Sequence, residues 1–261
     1  MLELTFTIVI LGIVSSIGAE IIAKVYQSYI LQRAQHRATI QTELVATQIG
    51  NRLSAAISGT ILRRTAKSGG TIEDIDDDMS LDGDSYTILQ WVGSDVDSFN
   101  ADTIPGWSGF CDLNQSNPTT IITPGSNLNF TNTIQANLGN ENKFAIYFPY
   151  DTTAYFATGE GETITLDTNV SHIVEHYKVS WSSYALVVED NPQGAGKDLN
   201  LYYNFSPVRG VNISGSVATL MKDISTFKFT GSGKTIRFKV CKEEPIGENF
   251  NVTACKEKVV F

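Results

Sequence analysis

Between Leu4 and Ala19 the chain carries no charged residue, and its apolar side chains run on without polar alternation, as in Phe6-Thr-Ile-Val-Ile-Leu-Gly-Ile13. No proline occurs before Pro105, and the residues from Leu4 to about Lys67 are good helix formers, so the pattern predicts one long helix. Roughly sixty residues at about 1.5 Å each make a rod of about 90 Å. The uncharged run between Glu3 and Glu20 is shorter than the roughly 20 residues that span a bilayer. Continuing through Ile21, Ile22 and Ala23 to Lys24 restores the length if Glu20 is paired. A secretory signal peptide would need a basic first segment and a cleavage site, whereas this stretch has no early cation and runs on into more helix. Farther along, Val45, Ile49, Leu53, Ile57 and Ile61 recur every four residues, a stripe suited to a domain packed beside the helix. Gly50 and Gly59 interrupt it.

Gly69-Gly70 ends the helical pattern, and an acidic stretch, Glu73 to Asp84, follows. From Tyr86 onward the apolar period shortens to that of strands, in Tyr86–Val92, Phe144–Phe148, Tyr177–Val188 and Phe227–Thr230, with Gly, Asn, Asp and Pro between them. The expected fold is α+β: a long N-terminal helix, apolar in its first third, packed on a β-rich head. Residues 1–24 are expected to cross a membrane, 25–67 to continue the helix in amphipathic form, 68–84 to form an acidic linker, and 85–261 to form a single β-rich head.

Charge sharpens this division. Seven Lys/Arg against three Glu leave residues 1–67 at +4, so the remainder of a chain of net charge −9 carries −13. A head this acidic is a poor partner for nucleic acid, whose binding relies on cations neutralising phosphates. The stem cations Lys24, Arg33 and Arg37 are suited to lipid headgroups or to an acidic head. By the positive-inside rule they would hold their side of the membrane, and the head with it, in the cytoplasm, unless a basic segment upstream of Met1 reverses the balance. Cysteine usage points the other way. Cys241 and Cys255 lie on two alternating segments near the C-terminus, where a disulfide would close a loop worth about 3 kcal/mol and would indicate an oxidising compartment such as a periplasm. Cys111 is left as a buried structural thiol.

Catalytic-looking strings are few. His172-Ile-Val-Glu-His176 has zinc-protease spacing, but that chemistry needs both histidines on one helical turn, and the residues around them alternate like a strand, which would separate them by about 13 Å. Gly231-Ser-Gly-Lys-Thr235 resembles the end of a phosphate loop, yet Lys228 stands where its first glycine belongs, and a hairpin turn between strands is expected instead. In the acidic stretch Asp74, Asp76 and Asp78 alternate and Asp82-Gly-Asp84 follows, with Asp76, Asp78 and Asp82 as weak calcium candidates, although Met79 replaces the glycine of an EF-hand. No catalytic residue, resident metal or cofactor is expected. Within the apolar helix, Gly12 and Ser16 are four apart and offer a small face for close helix packing.

One acid remains at the mouth of the apolar run. Glu3 should sit at the interface, favoured by the helix dipole, or meet a cation. The string Met1-Leu-Glu-Leu4, with Ile8-Val-Ile-Leu-Gly-Ile13 after it, resembles the N-terminal signature of type IV pilins and pseudopilins, in which Leu-Ile-Glu-Leu precedes a long apolar helix. Glu3 matches the family's glutamate, and the resemblance implies that it pairs with the N-terminal amine of a neighbouring subunit. The basic leader, the Gly before its cleavage point and the first two mature residues have no counterpart here. Either translation begins upstream of Met1 or the sequence is truncated. The resemblance further implies processing and methylation by a prepilin peptidase, an inner-membrane assembly platform, and other pilin or pseudopilin subunits as partners. It covers about the first 25 residues. A filament subunit, most readily a minor pseudopilin of a type II secretion or related pilus system with its head in the periplasm, is the function expected. The alternative is a periplasmic binding or adhesion protein that uses the helix only as a membrane tether.

Overall fold

A computed structural model describes residues 2–100, 103–138, 143–191, 196–247 and 250–261, with side chains from Glu3 onward. Helix α1 runs from Leu2 to Ser54, followed by strands β1 (Leu62–Arg64), β2 (Ile72–Asp74) and β3 (Ile88–Gly93). Then come α2 (Val96–Phe99), β4 (Thr120–Ile122), α3 (Leu128–Asn137), β5 (Phe144–Tyr147), β6 (Tyr155–Glu160), β7 (Thr163–Leu166) and β8 (Lys178–Ser180). The chain closes with β9 (Ser182–Asp190), β10 (Lys197–Phe205), β11 (Ser216–Ser232), β12 (Thr235–Gly247) and β13 (Phe250–Val260).

The main sheet has eight strands in the order β13-β12-β11-β10-β9-β3-β1-β2. Its pairs are all antiparallel. The C-terminal half of α1 lies across one face. Ala38, Thr42, Val45, Ala46, Ile49 and Leu53, one stripe of the helix, are buried. Their apolar members from Val45 on pack with sheet residues such as Trp91, Leu186, Leu201, Phe227 and Phe238. Ile88, Ala185, Val187, Phe205 and Ile213 form a smaller cluster.

The helix ends at Ser54, short of the expected Lys67. Gly59 takes a left-handed φ of +76°, a conformation that suits glycine and not a helix interior. Ahead of it the backbone has already joined the sheet, with Ile57 N donating to Val92 O at 2.9 Å. Ile57 is thus buried beyond the helix rather than on it, and Ile61 lies half-buried in a loop. Residues 62–64, expected as helix, and 72–74, expected as linker, are instead paired strands of the main sheet. Two arginines are buried as a result. Arg63 Nε donates to Glu73 Oε2 at 2.8 Å, and Arg64 Nη1 donates to Gln90 Oε1 and to Val211 O, both at 2.7 Å.

The head is more divided than a single β unit. β3 and β9 are hydrogen-bonded neighbours, so the whole of residues 94–181 is an insertion between adjacent strands. It carries its own five-stranded sheet, ordered β4-β7-β6-β5-β8, together with α2 and α3. It also has its own core, built on Trp107, Ile121, Leu128, Phe144, Ile164 and Tyr177. Asp95, buried at its entrance, caps α2 through Ser98 N at 3.0 Å and accepts Gln135 Nε2 of α3 at 2.9 Å. Ile57, Val92, Ala145 and Tyr147 join the insertion to the main sheet.

Candidate functional site

The apolar first third of α1 packs against nothing among the described residues. Every large apolar side chain from Leu4 to Tyr29 is exposed, between 49% and 71%. A strongly apolar window of this helix reaches a mean hydropathy of 2.2 with none of it buried, so by length and composition the segment can cross a membrane. Glu20 and Lys24 pair at 2.6 Å, i to i+4. That pairing is the condition under which the apolar run reaches Lys24, about 20 residues and about 30 Å, the thickness of the hydrocarbon core. Thr7 is satisfied locally, its hydroxyl donating to Glu3 O at 3.0 Å and Leu4 O at 2.9 Å.

Glu3 lies in the first turn of α1 and is exposed. Among the described residues no hydrogen bond or ion pair reaches its carboxylate; Met1 lies outside the described residues. Gly12 and Ser16 are exposed, and a side chain at Gly12 would meet nothing within 4 Å. They leave an open small-residue patch that none of the described residues fills.

Above the apolar segment the stem is bolted to the head by charge. Arg37 Nη1 meets Glu244 at 3.3 Å. Glu43 receives Lys256 at 2.5 Å and Lys258 at 3.6 Å, and Lys258 also donates to Thr47 Oγ1 at 2.7 Å. The Lys256 hydrogen bond holds the Glu43 carboxyl below its ordinary pKa. Two of the three stem cations are therefore paired inside the chain, Lys24 to Glu20 and Arg37 to the acidic head. The opposite, bare face of the helix keeps Ile40 and Leu44 exposed, at 44% and 57%.

Cys241 and Cys255 form a disulfide and stand directly opposite each other on β12 and β13. β13 packs on α1, and Lys256 and Lys258 belong to it, so the staple and the ion pairs secure the same strand. Cys111 is buried and free, its sulfur 3.3 Å from Ser116 Oγ, and burial raises its thiol pKa.

His172 and His176 are exposed on irregular chain rather than on the continuous strand expected; only His176 makes a bridge, to Phe110. No helical turn brings them together. Gly233-Lys234 is the two-residue tip of the β11–β12 hairpin, closed by the Ser232–Thr235 pair, with Gly233 at φ +63°. Asp76, Asp78 and Asp82 are exposed, while Asp74 pairs with Arg209 at 2.5 Å. Among the described residues no three acids, histidines or cysteines cluster as metal ligands would. What the periodicity did not reveal is a cleft of about 600 Å³ where the insertion meets the main sheet. Its one local signal was Pro149-Tyr150, a proline followed by a bulky residue where a turn of this kind wants glycine.

Compared with known proteins, the chain matches no protein-family model, no curated protein and no solved structure. The fold and the bare stem define a class by themselves: an α+β protein with one long apolar N-terminal helix and a disulfide-stapled β-rich head.

Proposed function

We propose that this chain is a pilin-like filament subunit, a minor pseudopilin of a type II secretion or type IV pilus-like system, that assembles through its N-terminal helix. One observation carries the reading. Ile40 and Leu44 lie on the side of α1 turned from the head, about 24 to 30 Å beyond Lys24, where no bilayer reaches them. Lipid accounts for the exposed residues up to Lys24; past the polar turn of Arg33, His36 and Arg37, two further exposed apolar residues on the same side, Ile40 and Leu44, call for neighbouring helices. The continuity of α1 supports the same reading, since 53 residues run without a break from the apolar segment into the head core. A tether needs no such rigid coupling.

Other pilin or pseudopilin subunits are the partners of this surface, with the bilayer as the store from which subunits are extracted. By the resemblance, an inner-membrane assembly platform and a prepilin peptidase act on the chain. The disulfide supports a head in an oxidising periplasm. The internal pairing of Lys24 and Arg37 weakens the opposing charge argument. Glu3, without a partner among the described residues at the mouth of the stem, is the group to align a neighbour's N-terminus. Glu3→Ala is expected to leave the chain in the membrane fraction and to remove it from sheared surface filaments; normal incorporation of the variant would refute the assignment.

A second reading, a membrane-anchored periplasmic binding or adhesion protein, is favoured by the cleft in the head. The two readings differ in what covers Ile40 and Leu44.

A further inference from the structure

The cleft between the insertion and the main sheet measures about 600 Å³, the size of a small-molecule site. Trp107, Phe110, Tyr150, His176, Lys178 and Lys234 are among the residues that line it. The rings are presented in pairs: Phe99 against Trp107 with centroids 4.8 Å apart, and Phe110 against His176, also at 4.8 Å. Phe99 and Phe110 remain 42% and 50% exposed, which leaves ring faces open to an occupant.

Tyr150 is the most telling of them. Asp151 N donates to Phe148 O at 3.2 Å, closing a turn with Pro149 and Tyr150 in its centre. Tyr150 has φ +66°, in the left-handed region that this position of the turn normally reserves for glycine or asparagine. Its side chain is fully exposed and touches nothing that would compensate the strain. A bulky ring kept in an unfavourable backbone conformation at the rim of a cleft points to use by a ligand.

Charge narrows the ligand. The chain is acidic, yet among the described residues no Asp or Glu lines the cleft, and the side chains of Lys178 and Lys234 make no ion pair or hydrogen bond there. A local cationic site on an acidic head selects an anion. The cations are sparse, however, and the adjoining depression beyond Lys234 is lined by Asp74 and Asp76. A nucleic-acid strand, with one phosphate per nucleotide, would leave the cleft into those acids and lacks the track of cations it needs. We propose that the cleft binds a short acidic saccharide of the hexuronate type, its sugar rings laid on Tyr150 and Phe110 and its carboxylates met by Lys178 and Lys234. This holds whether or not the chain enters a filament.

Calorimetric titration of the full chain in detergent micelles tests it, with trigalacturonate, trimannuronate and a hyaluronan tetrasaccharide as probes. At least one should bind, weakening as salt is raised. Maltotriose, which is uncharged, and a ten-residue oligothymidylate should bind at least about tenfold more weakly. The double variant Lys178→Ala/Lys234→Ala should lose about tenfold in affinity. Tyr150→Gly should lose a similar factor, about tenfold, without lowering the melting temperature, because glycine accepts the turn's backbone. No binding by any of the three acidic probes would overturn the proposal. So would tighter binding of the oligothymidylate, unchanged affinity in Tyr150→Gly, or loss of binding only in step with a loss of folding.

Discussion

Arg63 is 1% exposed, and what lets a guanidinium sit there is Glu73 one strand away, with Tyr86 beneath it at 5.2 Å from the ring centre. The Ser80 hydroxyl and then Tyr86 hydrogen-bond the Glu73 carboxylate, and Arg63 adds to them, so its pKa falls from 4.5 to about 2. A carboxyl whose pKa is depressed on folding contributes stability in full above the unfolded value and loses it as pH falls towards the folded one. Glu73→Gln should therefore melt lower than the parent at pH 7 and show a shallower loss of melting temperature between pH 4.5 and about 2. Thermal melts at a series of pH values decide it, and parallel curves would remove Glu73 from the acid response. Asp95 carries the opposite sign: burial raises its pKa, so charging it as pH rises works against the fold. At this scale the Cys241–Cys255 pair was legible in the sequence, because both cysteines lie on alternating segments near the C-terminus. Arg63 and Arg64 were not. Their partners lie 10 and as many as 147 residues away, and only the strand pairing brings them together.

At the scale of elements, α1 has two faces with different duties. Ile49 is fully buried against the sheet, whereas Leu44 is 57% exposed on the other side. Ile49→Ala should cost about 2–5 kcal/mol in denaturant unfolding, through lost transfer energy and the cavity left behind. Leu44→Glu should change stability by no more than about 0.5 kcal/mol, as surface substitutions do, and yet keep the chain out of filaments; a Leu44→Glu variant that assembles normally would remove the bare face from the account. The existence of the helix was legible from the absence of proline and charge. Its end was not, since residues 55–67 keep helical propensity while Ile57 N finds Val92 O and residues 62–64 find two strand partners. Hydrogen-bonding to a sheet outweighed a weak local preference. The hairpin at Gly233-Lys234 was readable because its glycine and its flanking alternation agree. The strand expected through His172–His176 failed because only His176 found a partner, Phe110.

For the whole molecule, the α+β plan of a long helix on a β-rich head was legible, and the insertion of residues 94–181 between paired neighbours β3 and β9 was not. Alternation reports that a strand exists and is silent on which strand it meets, so two sheets with two cores read as one. The cleft arises where those two parts join, which is why no single motif announced it. The stem is a different case. Its surface is written in consecutive residues, and its meaning depends on what lies outside the chain. On the proposed reading the bare face of α1, beyond the reach of lipid, packs against the helices of neighbouring subunits. A photoreactive aromatic residue placed at Ile40, activated in intact cells, tests that claim directly. Head-to-tail packing predicts protein adducts that extend into multimers or join other subunits, with the cross-linked peptides mapping to apolar N-terminal helices. Recovery of monomer alone, or of adducts that stop at a symmetric dimer, would contradict it.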